Sequence, residues 1–193
     1  ESVTVFGGQG NDTIATGATV ANTTTATSNV DAGQGADSVT FGVVETEIDT
    51  YVFNGGDSVA ATADTLPAAA TASVAVDQTI TFGNGVYLIN GFQANTITGA
   101  STDKVDIDFT STGVVDLLKA GNEAAKSDVL AANTIYEVYG FYNSTTGVFT
   151  MSTDGVGTES LYIVGGGNDT VDSVFTNSTN MFVAINGDLA ETS

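Results

Sequence analysis

Gly7-Gly8-Gln9-Gly10-Asn11-Asp12-Thr13-Ile14-Ala15 fits the nonapeptide G-G-x-G-x-D-x-U-x, with U a large apolar residue, at every fixed position. The glycines let the segment from Gly7 to Asp12 turn tightly through positive φ angles with its carbonyls pointing inward. Asp12 adds a carboxylate and Ile14 anchors a short strand. Such a loop offers only oxygen, which suits a hard cation, and Ca²⁺ best of all.

Two further stretches keep the spacing. Ala32-Gly33-Gln34-Gly35-Ala36-Asp37-Ser38-Val39-Thr40 and Val164-Gly165-Gly166-Gly167-Asn168-Asp169-Thr170-Val171-Asp172 each depart only at the first glycine. Decayed copies of Asp-(Ser/Thr)-apolar recur at Asp49-Thr50-Tyr51, Asp57-Ser58-Val59, Asp64-Thr65-Leu66 and Asp172-Ser173-Val174, and Gly55-Gly56-Asp57 keeps part of the loop. On these residues the chain resembles the RTX family of calcium-binding parallel β-rolls. The resemblance implies that each nonapeptide forms half a coil, that loops on one side recur about every 18 residues, and that a calcium ion sits between successive loops. Asp37 to Asp57 is close to that frame, whereas Asp12 to Asp37 is longer, so roughly seven residues are inserted. The Thr-rich run from Ala21 to Ser28 is the expected place. The implied metal-binding positions are Gly7, Gly8, Gly10 and Asp12; Asp31, Gly33, Gly35 and Asp37; Asp49, Gly55 and Asp57; and Gly165, Gly167 and Asp169.

Charge poses the problem that cations would solve. There are 23 Asp plus Glu, three Lys plus Arg (all lysine) and no His, a formal charge of -20, so self-repulsion opposes any compact state. With 41% hydrophobic residues, however, the chain lacks the low-hydrophobicity mix of permanent disorder. The combination predicts a chain that folds when cations bind. A solvated acidic face or salt adaptation accounts for the charge but not for the glycine spacing.

The same composition excludes several functions. No Lys-Ser/Thr follows any glycine loop, so a phosphate cradle of the Walker type is not expected. Three lysines leave no electrostatic hold on nucleic acid. Without Cys there are no disulfides or thiolate sites, and without His there is no Ser-His-Asp triad and no H-E-x-x-H zinc site. The carboxylates Asp106 and Asp108, or Glu45, Glu47 and Asp49, are read as cation-binding or solvent-facing rather than catalytic, and the chain is not expected to be an enzyme. No segment is long and apolar enough to span a bilayer.

Glu1 to Phe6 reads as a strand entering the first loop, as if the chain opens partway through a larger repeat array. From Thr79 to Thr110, strand-like runs alternate with Gly/Asn turns, and Thr102-Asp103-Lys104-Val105-Asp106 matches the D-K-[IV]-D strand that closes RTX rolls in type I secreted proteins. Val114 to Ala120 and Glu123 to Ala132 have helical apolar spacing, with Asn122 as a cap. Lys104, Lys119 and Lys126 fall in this region, as ordinary surface charge or as a docking face for an acidic repeat. Thr134 to Phe141 and Gly147 to Ser152 read as a hairpin whose aromatics Tyr136, Tyr139, Phe141, Tyr142 and Phe149 belong to a core, and Leu161 to Val164 and Met181 to Ile185 as strands. The tail Asn186 to Ser193 is similar to the uncleaved export signals of RTX proteins.

The expected fold is mainly β: a short, irregular, RTX-like calcium-binding parallel β-roll over 1–66, continuing into a β-sandwich-like or capping β region over 67–193 with one or two short helices, including a helical insert near 113–132. The expected function is that of a structural, calcium-binding extracellular domain, the C-terminal part of a surface-layer or matrix protein that is secreted and self-associates or holds cell-surface polysaccharide. The alternative is a calcium-folded secretion and chaperoning module attached to an enzyme, toxin or adhesin.

Overall fold

Apolar or β-branched residues alternate with polar ones on either side of the first two Gly-rich loops, the pattern of strands with one face turned inward. The computed structural model describes residues 2–16, 26–42, 47–83, 85–91, 104–107, 114–118, 124–153, 156–165, 167–177 and 181–185. Strands β1 (Ser2–Phe6) and β2 (Thr13–Ala15) flank the first loop, and β3 (Ala26–Asp31) and β4 (Ser38–Thr40) flank the second. β5 (Glu47–Phe53) enters a third loop, followed by β6 (Ala63–Asp64), β7 (Thr79–Thr81), β8 (Tyr87–Asn90), β9 (Lys104–Ile107) and β10 (Val114–Asp116). The remainder is β11 (Ile135–Asn143), β12 (Val148–Met151), β13 (Glu159–Val164), helix α1 (Val171–Asn177) and β14 (Met181–Ile185).

The chain winds as a parallel β-solenoid of about four turns. One face is the sheet β1-β3-β5-β9, parallel throughout. The other begins β2-β4-β8, also parallel, and runs on through β14-β13-β11-β12-β7-β6, with β10 beside β11. Hydrogen bonding therefore passes without a break from the roll into the C-terminal region: β4 pairs with β8, and β8 with β14.

Parallel register places like on like. Val5 pairs with Val30 and Val30 with Tyr51 on one face, while Ile14 pairs with Val39 and Val39 with Ile89 on the other. These two columns face into one apolar interior, where Val30, Val39, Tyr51 and Ile89 are fully buried and Val5 and Ile14, in the first coil, are partly buried. The large apolar position of the nonapeptide is thus the core position. Tyr51, Phe53 and Tyr87 interlock there, with the Tyr87 ring edge-on to Tyr51 at 5.6 Å and to Phe53 at 5.8 Å.

Ser2 pairs with Thr27 and Thr13 with Ser38, so the first coil is 25 residues long on both faces. Ala26 to Ser28, part of the expected insertion, lie within β3, and the rest of it, Ala21 to Thr25, lies outside the described residues. The third coil is interrupted. After β5 the chain turns at Asn54 to Asp57, where the Asp57 amide donates to the Asn54 carbonyl at 3.1 Å, and then departs through β6 and β7. β8 takes the place beside β4 that the third coil's second strand would fill.

The hairpin β11–β12 and strands β13 and β14 form where the sequence predicts them, as do β1 and the strand at Lys104, which becomes the fourth strand of the first face. The helical reading is corrected over the described residues 114–118 and 124–132. Val114–Asp116 is a strand parallel to β11, and a β-branched pair fits that pleat better than a helix. Over the described part of the second segment, the amides of Lys126, Ser127 and Leu130 donate to the carbonyls of Ala72, Ala70 and Asp169, which are distant segments and not the preceding helical turn. Among the described residues, the one α-helix is Val171–Asn177, whose start is capped reciprocally: Ser173 N–H donates to Thr170 Oγ1 at 3.2 Å and Thr170 N–H to Ser173 Oγ at 2.8 Å. Lys126 forms an ion pair with Asp172 at 2.7 Å, so this lysine braces its own domain. Lys119, Asn122, Asp103, Asp108, Glu45 and the tail 186–193 lie outside the described residues.

A second, larger core fills the C-terminal region with Ile80, Phe82, Val138, Phe149, Leu161 and Phe175 among its members. Tyr136, Tyr139 and Phe149 are buried as the sequence suggests, while Phe141 is exposed and Tyr142 half-buried. No helix among the described residues is long and apolar enough to cross a membrane.

The column predicts graded losses. Ile89→Ala, in the fully buried third coil, should lower unfolding free energy by about 3 kcal/mol, and Ile14→Ala, half-buried in the first, by clearly less. Denaturant titration checks this, and equal losses would show that the interior does not tighten away from the first coil.

Candidate metal centre in the stacked loops

Loop 1, Gly7 to Asp12, lies directly on loop 2, Ala32 to Asp37, held by a continuous ladder. Gly7 N–H donates to Asp31 O at 2.9 Å, Gln34 N–H to Gly8 O at 2.8 Å, Gly10 N–H to Gln34 O at 2.9 Å and Ser38 N–H to Asp12 O at 2.9 Å. Side chains join it: Asp12 N–H donates to Asp37 Oδ1 at 2.7 Å, and Ala36 N–H to Asn11 Oδ1 at 3.1 Å. Glycine is required by this closeness. A Cβ on Gly33, whose φ is +83°, would lie 1.9 Å from the Gly8 carbonyl oxygen, and one on Gly35 would lie 2.1 Å from that of Gly10. Ala32, which replaces the first glycine of the second copy, instead packs fully buried in the roll interior, so the departure there is accommodated.

The ladder stacks Asp12 on Asp37. Asp37 is 1% exposed, and its Oδ2 is buried without a hydrogen bond; Asp12 Oδ2 is in the same condition. Burying a carboxylate oxygen without a partner costs about 1–3 kcal/mol or more, and two carboxylates side by side repel. Desolvation raises the Asp37 carboxyl above its usual range; the Asp12 amide and the Tyr87 phenol pull it down, and the Asp12 charge pushes it up again. A Cβ on Gly7 would meet Ala32 O at 2.4 Å and Asp12 Oδ2 at 2.9 Å, so only glycine leaves these two oxygens unobstructed. Among the described residues no group of three or more acidic side chains converges, so a cation here would take the rest of its shell from carbonyl oxygens. Asp12, Asp37 and the carbonyls of this stack fit such an ion in donor chemistry.

Seven of the sequence-predicted site residues, Gly7, Gly8, Gly10, Asp12, Gly33, Gly35 and Asp37, are therefore brought together. Asp31 stands beside them with Oδ1 accepting from Gly33 N–H at 3.1 Å and Oδ2 from Asn54 Nδ2 at 3.4 Å. Gly55 and Asp57 belong to loop 3, where Asp57 Oδ2 accepts the Asn54 amide at 2.9 Å. Asp57 does not continue the aspartate column. The carbonyl of Asp57 meets the Gly35 amide, while the position after Asp37 in the column falls to Tyr87, because Ser38 pairs with Leu88 and Leu88 N–H donates to Asp37 O. Asp49 is buried in mid-strand β5, on the inward side shared with Tyr51 and Phe53. Gly165, Gly167 and Asp169 lie apart, in the link from β13 to α1, where Asp169 O accepts the Leu130 amide at 2.8 Å. Tyr87 is the site residue that sequence reasoning missed. It reads as one more apolar strand residue, and its partner in the column is 50 positions away.

Comparison with family models, curated proteins and solved structures finds no match to this chain.

In chelator, the raised Asp37 carboxyl fixes the sign of a pH effect. The folded state binds this proton more tightly than the unfolded chain, so its contribution is present below the usual carboxyl value of 3.8 and is lost as pH rises through the higher folded value. The residual β signal by circular dichroism in chelator should therefore rise as pH is lowered from neutral towards that range, and that of Asp37→Asn should rise less. A wild-type β signal that falls steadily over the same interval would contradict the burial of this carboxyl.

Proposed function

We propose that this chain is a structural, calcium-binding extracellular domain of the RTX type, part of a secreted surface-layer or matrix protein, in which calcium between the stacked loops drives folding. The observation that carries this reading is the pair of buried, unpartnered carboxylate oxygens of Asp12 and Asp37 at the junction of two Gly-rich loops. Without a cation, that junction sets two carboxylates against each other inside a chain of formal charge -20. With one, the same register becomes a ligand set. Metal binding and folding are then a single equilibrium.

The secretion logic follows. In a compartment with little free calcium the chain stays loose enough to be exported, and in calcium-rich surroundings the loops fill and the solenoid closes. Neutralising part of the acidity also lowers the barrier to self-association or to contact with an anionic polysaccharide at the cell surface. A folded, calcium-held solenoid supplies the rigid repeat that a surface lattice needs.

Circular dichroism with calcium or with chelator tests this. The β signal should be weak in chelator and appear cooperatively on calcium addition; a full, cooperative β signal in chelator would refute calcium-coupled folding. At a hundredfold excess of calcium over its Kd, one site should contribute about 2.7 kcal/mol to stability, and Asp12→Asn or Asp37→Asn should remove most of that gain.

A further inference from the structure

The column that begins Asp12, Asp37 continues with a residue of opposite hydrogen-bonding character. Tyr87 occupies the third position, since β8 lies in parallel register on β4 and the Leu88 amide donates to the Asp37 carbonyl at 2.8 Å just as the Ser38 amide does to that of Asp12 at 2.9 Å. Where Asp37 presents acceptors to the coil above it, Tyr87 presents an O–H. That hydroxyl donates to the Gly33 carbonyl. The equivalent carbonyl one coil earlier, that of Gly8, accepts the Gln34 amide of the next loop. Loop 3 is displaced at this level, meeting loop 2 through Asp57 O on Gly35 N–H, and the phenol makes the contact that a third stacked loop would have made.

Tyr87 also fills the space. It is fully buried, wedged edge-on against Tyr51 and Phe53, and it follows Asp37 in the column on the side away from Asp12, because β8 flanks β4 opposite β2. A cation between the second and third coils would need a carboxylate at this position and open room beside it; a ring and a proton stand there instead.

We infer that Tyr87 terminates the aspartate column, so that the stacked loops hold one cation, shared by Asp12 and Asp37, with none between the second and third coils. This rests on the calcium reading above, and the experiment separates the two. Calcium ions bound to the intact chain are counted by native mass spectrometry for wild type, Asp12→Asn, Asp37→Asn and Tyr87→Asp. Asp37 would border two ions in a continuing column but only one in a terminated column. Loss of the same single ion from Asp12→Asn and Asp37→Asn is the expected result. Loss of one ion from Asp12→Asn but two from Asp37→Asn would overturn the terminator role and leave the calcium reading standing. No loss from either variant would overturn the calcium reading itself. Tyr87→Asp should gain one ion over wild type; if it keeps the wild-type β signal and gains none, the terminator role fails, and if it does not fold, the two aspartate variants decide alone.

Discussion

Parallel, in-register stacking is the constraint on which the rest of this structure depends, because it sets each residue against its own counterpart in the next coil. For apolar side chains the arrangement is favourable: Ile14, Val39 and Ile89 form one continuous inner column, and each coil buries the one before it. For carboxylates it is unfavourable, because Asp12 on Asp37 concentrates like charge where water is excluded. The chain combines both consequences in one short motif. The apolar position supplies the core, and two residues before it the aspartate creates a local electrostatic deficit that an oxygen-seeking cation would relieve.

Glycine makes that approach possible. The carbonyls of loop 1 press on loop 2 so closely that no side chain fits at Gly33, and the same closeness leaves no room for one at Gly7, beside Ala32 O and Asp12 Oδ2. Close stacking and oxygen lining are thus one feature of the backbone, since the loops that must come close to stack also bring their carbonyls together. The departure at Ala32 is instructive, because there the added methyl group points into the roll interior and joins the apolar core.

The solenoid is short because the chain interrupts its own repeat. After loop 3 it leaves to build β6 and β7, then returns as β8 with Tyr87 where an aspartate would stand. The sheet nevertheless continues from β8 into β14 and onward, so the roll is capped by an antiparallel region that shares its hydrogen bonds and does not merely abut it. Parallel edges left bare invite further pairing, and continuity with a larger sheet covers one of them.

Local residue patterns were sufficient for much of this. The spacing of Gly7, Gly8, Gly10, Asp12 and Ile14, and its repeat at Gly33 to Val39, specify tight oxygen-lined turns followed by inward apolar strands, because those properties depend on φ preference and period-two alternation within a few residues. The hairpin at 135–151 was legible for the same reason. Three matters were decided only in three dimensions. The stretch 114–132 carries helical spacing, yet its backbone finds partners in distant segments around Ala70, Ala72, Glu137 and Asp169. The third Gly-rich copy at Gly165 ends in a capped helix and joins no stack. Asp57 has the residue type for the column but lies out of register, while Tyr87 has the register and not the type. Local conformation follows from nearest neighbours in the chain, so the sequence alone determined the turns; which loops meet follows from the pairing of strands distant in the sequence, so only the tertiary structure set Asp12 on Asp37 among the many acidic residues of the chain.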